Sequence, residues 1–285
     1  MKKNIRKIGE KVLSRTYIIC FSGGLSSALC AIETVKRYGK ENCILLNHDI
    51  SSKVEDASVK RFKQEVALAL GMEITYANAE NFEDRTPIAI ALEKGGFAFQ
   101  RGKEICTYEL KTKPFYDWLK CNFPVEEGKI REDVVIVYGF GEQEKERILR
   151  RRDILIQKGY LTAFPLKEWK RTITDVSEIG VREPEVYHTF LHANCVGCLK
   201  AGMRSWYVTY CLRRDIFNEA MEAEEKLGYS ILKKCFLKDL VPLFKNMQEV
   251  GMRPTDRGTA QSFWKEAHAI VSGQLSVFSY CSIHK

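Results

Sequence analysis

The sequence predicts an α/β fold, a doubly wound and mostly parallel sheet with helices on both faces, with a helical region appended after about residue 202. Three observations predict it. Short bounded apolar runs alternate with stretches of helical spacing through the first half of the chain. A Gly/Ser break separates the first such run from the first helix. The strand-like runs fade after about residue 200.

The first strand is Tyr17-Ile18-Ile19-Cys20-Phe21. Ser22-Gly23-Gly24 breaks it, and Ser26 to Tyr38 then carries Ala28, Leu29, Ile32 and Val35 at helical spacing. Cys43 to Leu46 reads as the second strand, Val54 to Leu70 as a helix ended by Gly71, and Ile74 to Ala77 as the third strand. Asp133 to Tyr138 is the clearest buried strand, and Glu142 to Lys158 is a strongly charged helix. Strands alternating with helices of this length imply βαβ units, whose ligands sit at the carboxyl ends of the strands. Trp206 to Leu227, Ile231 to Val250 and Gln261 to Val271 read as helices. The expected division is an α/β domain over 1–202 and a helical region over 203–285.

Composition narrows the class. The chain has 285 residues, 45% apolar and 29% charged, which suits a folded protein and excludes disordered, collagenous and disulfide-scaffold classes. Forty-five Lys and Arg stand against 37 Asp and Glu, a net charge of +8 that suits phosphate-bearing partners without choosing between nucleotide and nucleic acid. No apolar run approaches the ~18 residues of a membrane span. The basic start, Met1 to Arg15, leads only into the short run Tyr17 to Phe21, so the expectation is a cytoplasmic protein with no membrane partner. In that reducing setting ten cysteines form no disulfide framework. Most are expected as buried small hydrophobes, and any that cluster need another reason.

Chemistry begins at Ser22-Gly23-Gly24-Leu25-Ser26-Ser27, where the first strand passes into the first helix. Two glycines allow a tight turn and close approach of an anion, while helix N-terminal N–H groups and the Ser22, Ser26 and Ser27 hydroxyls suit phosphate oxygens. The same residues also suit an ordinary strand-to-helix turn. No Lys-Ser/Thr follows a second glycine at Walker spacing, and Gly139-Phe140-Gly141 lacks the third glycine of a dinucleotide fingerprint.

This loop resembles the Ser-Gly-Gly-x-Asp-Ser signature of the PP-loop (N-type ATP pyrophosphatase) superfamily, and later segments resemble its phosphoadenosine-phosphosulfate (PAPS) reductase branch. Asn47-His48-Asp49 with Glu55 is similar to that branch's Asp-Thr-Gly…Glu segment. Cys106-Thr107-Tyr108-Glu109-Leu110-Lys111-Thr112-Lys113-Pro114 is similar to its Cys-Cys…Lys-x-x-Pro stretch. Gly139 with Glu142, Glu144 and Arg147 resembles its Gly-x-Arg…Arg segment, with Gly141 at the first arginine's place. Pro165-Leu166…Trp169…Asp175-Val176 and Asn194-Cys195-Val196-Gly197-Cys198 resemble its Pro-Leu-x-x-Trp…Asp-Val and Gly-Cys-x-x-Cys elements. The resemblance spans about residues 15 to 202. Ser26 stands where the signature has aspartate and Leu25 where the reductases usually carry lysine, and the reductases' Glu-Cys-Gly-Leu-His tail has no counterpart around Cys281.

The resemblance implies an adenine nucleotide alpha hydrolase-like fold and an enzyme that cleaves ATP to AMP and pyrophosphate, adenylating an acceptor for sulfur transfer. It implies ATP held by Ser22, Gly23, Gly24, Leu25, Ser26 and Ser27 with Asp49 and Glu55, Mg²⁺ near Asp49, and chemistry assisted by Lys111, Arg147 and Asp49. The alternatives are a sulfonucleotide reductase and a non-catalytic nucleotide-binding module with structural zinc. Strand-end capping is the plainer role for His48, Asp49 and Glu55.

Cys195-x-x-Cys198 has the spacing by which a tight turn aims two thiolates at one metal. In the resembling APS reductases, the position of Cys106 supplies cluster cysteines, which implies a three-cysteine 4Fe-4S site at Cys106, Cys195 and Cys198. Zn²⁺ completed by His192, or metal-free buried thiols, are the other readings. Lys111, Lys113, Arg147, Arg150, Arg151, Arg152, Lys170 and Arg171 offer cations to phosphate, the run 150–152 reading better as a solvated or nucleic-acid-facing surface. Trp206, Tyr207, Tyr210 and Phe217 read as core. Expected partners are a nucleotide, a nucleic-acid acceptor (tRNA or DNA) and a sulfur donor, with a homodimer left open.

Overall fold

The computed structural model describes residues 15–99, 102–233 and 235–270; the basic start over 1–14 and Cys281 lie outside them. Five strands, β1 (Thr16–Cys20), β2 (Cys43–Asn47), β3 (Ile74–Tyr76), β4 (Arg131–Val137) and β5 (Tyr160–Ala163), form one sheet. Every pairing is parallel, and the order is β3-β2-β1-β4-β5. The order reverses between β1 and β4, and in open sheets of this kind the carboxyl ends of the strands at that reversal are where ligands bind.

The helices among the described residues are α1 (Leu25–Tyr38), α2 (Ala57–Ala69), α3 (Pro87–Lys94), α4 (Ile105–Thr107), α5 (Lys113–Asn122), α6 (Lys145–Gln157), α7 (Pro165–Glu168), α8 (Met203–Leu212), α9 (Arg214–Leu227), α10 (Leu237–Glu249) and α11 (Ala260–Ile270). Successive strand residues point to opposite faces. Ile19 therefore packs with Ala28, Ile32, Phe62 and Val66 of α1 and α2, whereas Ile18 packs with Phe115, Leu119, Ile148 and Leu155 of α5 and α6. Burial on both faces is why these strands read as unbroken apolar runs. Among the described residues no helix is long and apolar enough to cross a membrane.

Several boundaries differ from the sequence reading, each for a local reason. The second long helix starts at Ala57 rather than Val54, because the Asp56 carboxylate accepts the Ser58 N–H at 2.8 Å and caps it. Glu55 is thereby left in the preceding turn. The charged helix starts at Lys145, after a 3₁₀ turn over Glu142–Glu144 in which the Glu144 carboxylate accepts the Gly141 N–H at 3.0 Å. The helix read over Trp206 to Leu227 is broken at Arg213, whose guanidinium donates to the Lys53 carbonyl at 2.9 Å.

The sequence reading also missed α3, β5 and the helical run over 105–122. α3 opens with Thr86 accepting the Ala89 N–H at 3.1 Å and with Pro87 at its first turn. A π-helical turn, Tyr108–Thr112, joins α4 to α5. Pro114 has no N–H for the regular helical ladder, and the wider turn lies just before it. Trp206, Tyr207, Tyr210 and Phe217 are buried in one apolar cluster with Ile88, Phe97, Ile105 and Phe244. The C-terminal helices thus share their core with α3 and α4, and these four aromatic residues are core.

Candidate functional site

Gly23, at φ +81°, turns the chain out of β1, and a Cβ there would stand 2.7 Å from Cγ of Lys63. The turn is closed from within. The Ser22 N–H and hydroxyl both donate to the Ser27 hydroxyl at 3.2 Å, and that hydroxyl donates to the Gly24 carbonyl at 2.7 Å. Ser27 is buried while Ser22 and Ser26 are exposed. The expectation that all three serines face a phosphate is corrected accordingly: Ser27 builds the loop, and Ser22 and Ser26 face outward. The Leu25 N–H is also engaged, donating to the Tyr187 hydroxyl at 3.2 Å. From the other side the backbone after β4 presses on the start of α1, where a Cβ at Gly139 would meet the Ser26 carbonyl oxygen at 2.6 Å.

At the end of β2, the Asn47 side-chain amide donates to the Phe21 carbonyl at 2.5 Å, while its buried Oδ1 has no partner. The Asp49 N–H donates to the Asn78 side-chain oxygen at 2.7 Å. The Asp49 and Glu55 carboxylates meet at Lys63, whose ammonium lies 2.9 Å from Asp49 and 2.8 Å from Glu55 and is 1% exposed. Lys60 adds a 3.1 Å pair to Asp49. Burial pushes the Asp49 carboxyl up, but Lys63 and Lys60 together hold it below its ordinary value; at Glu55 burial prevails and the pKa is raised. Burial disfavours the charged Lys63 ammonium, yet Glu55 and Asp49 raise its pKa overall.

Cys106, Cys195 and Cys198 are brought together. Burial pushes the Cys106 thiol up to about 11, and the charges of Cys198 and Cys195 add to the shift while Lys111 opposes it. Burial likewise raises Cys195, against the charge of Lys111. The two segments are tied by a 2.9 Å pair between Lys200 and Glu104. The turn between the cysteines needs Gly197 at φ +72°, where a Cβ would meet Ile216 at 2.5 Å. Among the described residues no three His, Cys, Asp or Glu side chains are arranged to hold a single metal ion. His192 is exposed. Lys111 is exposed on the π-helical turn; desolvation lowers the pKa of the half-buried His48 and the charge of Lys111 adds to this, while the Ala77 carbonyl, 2.5 Å from its Nδ1, opposes it.

Arg147 pairs with Glu144 and lies 4.3 Å from the centre of the Phe140 ring. Arg151 and Arg152 cover Tyr138 and Phe164 in the same way, at 5.3 and 5.4 Å, and the three rings stack within 20° of parallel. These arginines hold α6 against the sheet. Arg150 is exposed and has no partner among the described residues.

A cavity of about 500 Å³ is lined by His188, Arg253, Thr255, Arg257 and Gly258. Tyr187, the chain neighbour of His188, links it to the loop: the Arg257 guanidinium donates to the Tyr187 carbonyl, while the Tyr187 hydroxyl reaches α1. Among the described residues no carboxylate lines it. Sequence reasoning missed Lys60, Lys63, Tyr187, Arg253 and Arg257. Lys63 did leave a trace, a lysine between Phe62 and Val66 on an otherwise apolar helix face. The others carry no local pattern, because their proximity to the loop arises from tertiary packing. Compared with known proteins, the chain matches no family model, no curated protein and no solved structure.

Proposed function

We propose that this chain is an ATP-binding enzyme with an adenine nucleotide alpha hydrolase-like fold, cleaving ATP between the α- and β-phosphates to adenylate an acceptor for sulfur transfer. The observation that carries the reading is the pairing of the Ser22–Ser27 loop with the cationic cavity of Arg253 and Arg257, joined through Tyr187 at the centre of a parallel sheet. The cradle fits a phosphate: Gly24 presents bare backbone, with only the Tyr187 and Ser22 oxygens within 4 Å of where its Cβ would lie. The orphaned Oδ1 of Asn47 adds a buried acceptor at the neighbouring strand end.

In this reading the N–H and hydroxyl of Ser26 hold phosphate oxygens, while the Ser22 hydroxyl stays on Ser27, and Arg253 and Arg257 neutralise the departing pyrophosphate. An acceptor oxygen forms its bond to the α-phosphorus as the bond to the bridging oxygen breaks, and pyrophosphate leaves with that electron pair. Lys111, exposed and unpaired among the described residues, is a cation free to move against the developing charge. Arg147 is assigned to holding α6, not to this chemistry. Asp49 fits Mg²⁺ poorly, since its Oδ1 already lies against two ammonium groups, and no step runs through that ion.

Cys106, Cys195 and Cys198 lie within electrostatic reach of one another and would be the thiolates to hold an iron–sulfur cluster, a reading that rests on the sequence resemblance; among the described residues no three ligand side chains are arranged around a single metal ion. Such a cluster supplies an open iron for a sulfur atom. The nucleotide part of the reading is tested by titrating ATP into the wild type and Gly24→Val. Binding by the first and none by the second, at unchanged thermal stability, supports it; equal affinity refutes the cradle.

A further inference from the structure

Tyr187 holds a position that the proposed chemistry does not use. It sits on a short 3₁₀ turn, Glu185–His188, fixed to α2 from two sides: the Ser58 hydroxyl accepts the Val186 N–H at 3.2 Å, and Arg61 pairs with Glu185 at 3.0 Å. From this turn the phenol reaches the phosphate loop, where its oxygen accepts the Leu25 N–H, the first of α1. A backbone N–H at the start of α1, of the kind that can hold an anionic oxygen, is thus taken up by a phenol from a distant part of the chain. The oxygen is also the atom closest to where a Gly24 side chain would lie, at 3.4 Å.

We propose that Tyr187 is a placeholder on the phosphate loop: its phenolic oxygen takes a donor that a phosphate oxygen needs, and nucleotide binding displaces it. The inference rests on the nucleotide reading above and adds a direction to it. Phenol and phosphate compete for the same N–H, so Tyr187 lowers affinity although it touches the site.

The test is Tyr187→Phe, which keeps the ring and removes the oxygen. Titration calorimetry with ATP is run on both proteins, with thermal unfolding alongside. Releasing one neutral hydrogen bond predicts ATP binding about 3- to 10-fold tighter in the variant. Binding by Tyr187→Phe where the wild type binds none supports the placeholder in stronger form. Equal or weaker binding by the variant overturns the placeholder while leaving the nucleotide reading intact, whether or not the unfolding temperature falls. Absence of ATP binding in both proteins overturns both readings.

Discussion

Lys63→Met removes the cation that two partly buried carboxylates share. In the wild type the Lys63 ammonium lies within 2.9 Å of both Asp49 and Glu55, with side-chain exposures of 1%, 20% and 11% for the three groups. Methionine fills a similar volume beneath Gly23, so the change is chiefly electrostatic. Removing one partner of a buried pair costs about 3–5 kcal/mol, and retention of Lys60 beside Asp49 places the expected loss toward about 3. The loss depends on pH. In the wild type the lowered Asp49 pKa contributes stability above the unfolded carboxyl value, and that part is lost as pH falls through the folded value. In the variant Glu55, already raised by burial, loses its partner and rises further. A raised carboxyl stabilises the fold below its unfolded pKa, an advantage lost as pH rises through the folded pKa. The deficit of the variant is therefore larger at about pH 8, where the raised Glu55 carboxyl must ionise without its partner, than at about pH 5, closer to the range in which carboxyls take up a proton. Guanidinium unfolding of both proteins at the two pH values measures it. A deficit below about 1 kcal/mol that is equal at both would show that Lys63 carries no buried charge pairing and would refute the reasoning.

Arg253→Ala and Arg257→Ala each remove a charge-assisted contact and are expected to weaken ATP binding by about 10-fold or more at unchanged stability; unaltered calorimetric affinity in both would separate the cavity from the nucleotide. Anaerobically purified wild type is expected to be brown, with about four irons per chain, and to lose its colour in Cys106→Ala, Cys195→Ala or Cys198→Ala. Cys30→Ala, Cys235→Ala and His192→Ala are expected to keep it. A colourless protein that loses zinc on His192→Ala would reverse the assignment.

The sheet was legible because its central strands are buried on both faces: Ile18-Ile19 and Val134 to Val137 have no polar residue to disguise them. The short edge strand β5 carries a weaker apolar signal, and α3 depends on a cap at Thr86 and Pro87 that reads equally well as a loop. At the site, the loop and the cysteines were visible as local motifs. The roles of individual side chains were not, since nothing in Ser22–Ser27 says that Ser27 turns inward or that a phenol from residue 187 meets Leu25. Arg147 shows the converse, a motif position whose charge is spent on Glu144 and Phe140. Lys63 was hidden because a lone lysine on a helix is ordinarily solvated, and only the fold brings Asp49 and Glu55 to it.

The most direct test of the central claim is the fate of ATP labelled at the α-phosphate, incubated with anaerobically purified protein and a total nucleic-acid fraction as acceptor. Cleavage between the α- and β-phosphates predicts label in AMP or in an adenylated acceptor, with pyrophosphate released in equal amount. Label recovered in ADP, with orthophosphate as the other product, would contradict it.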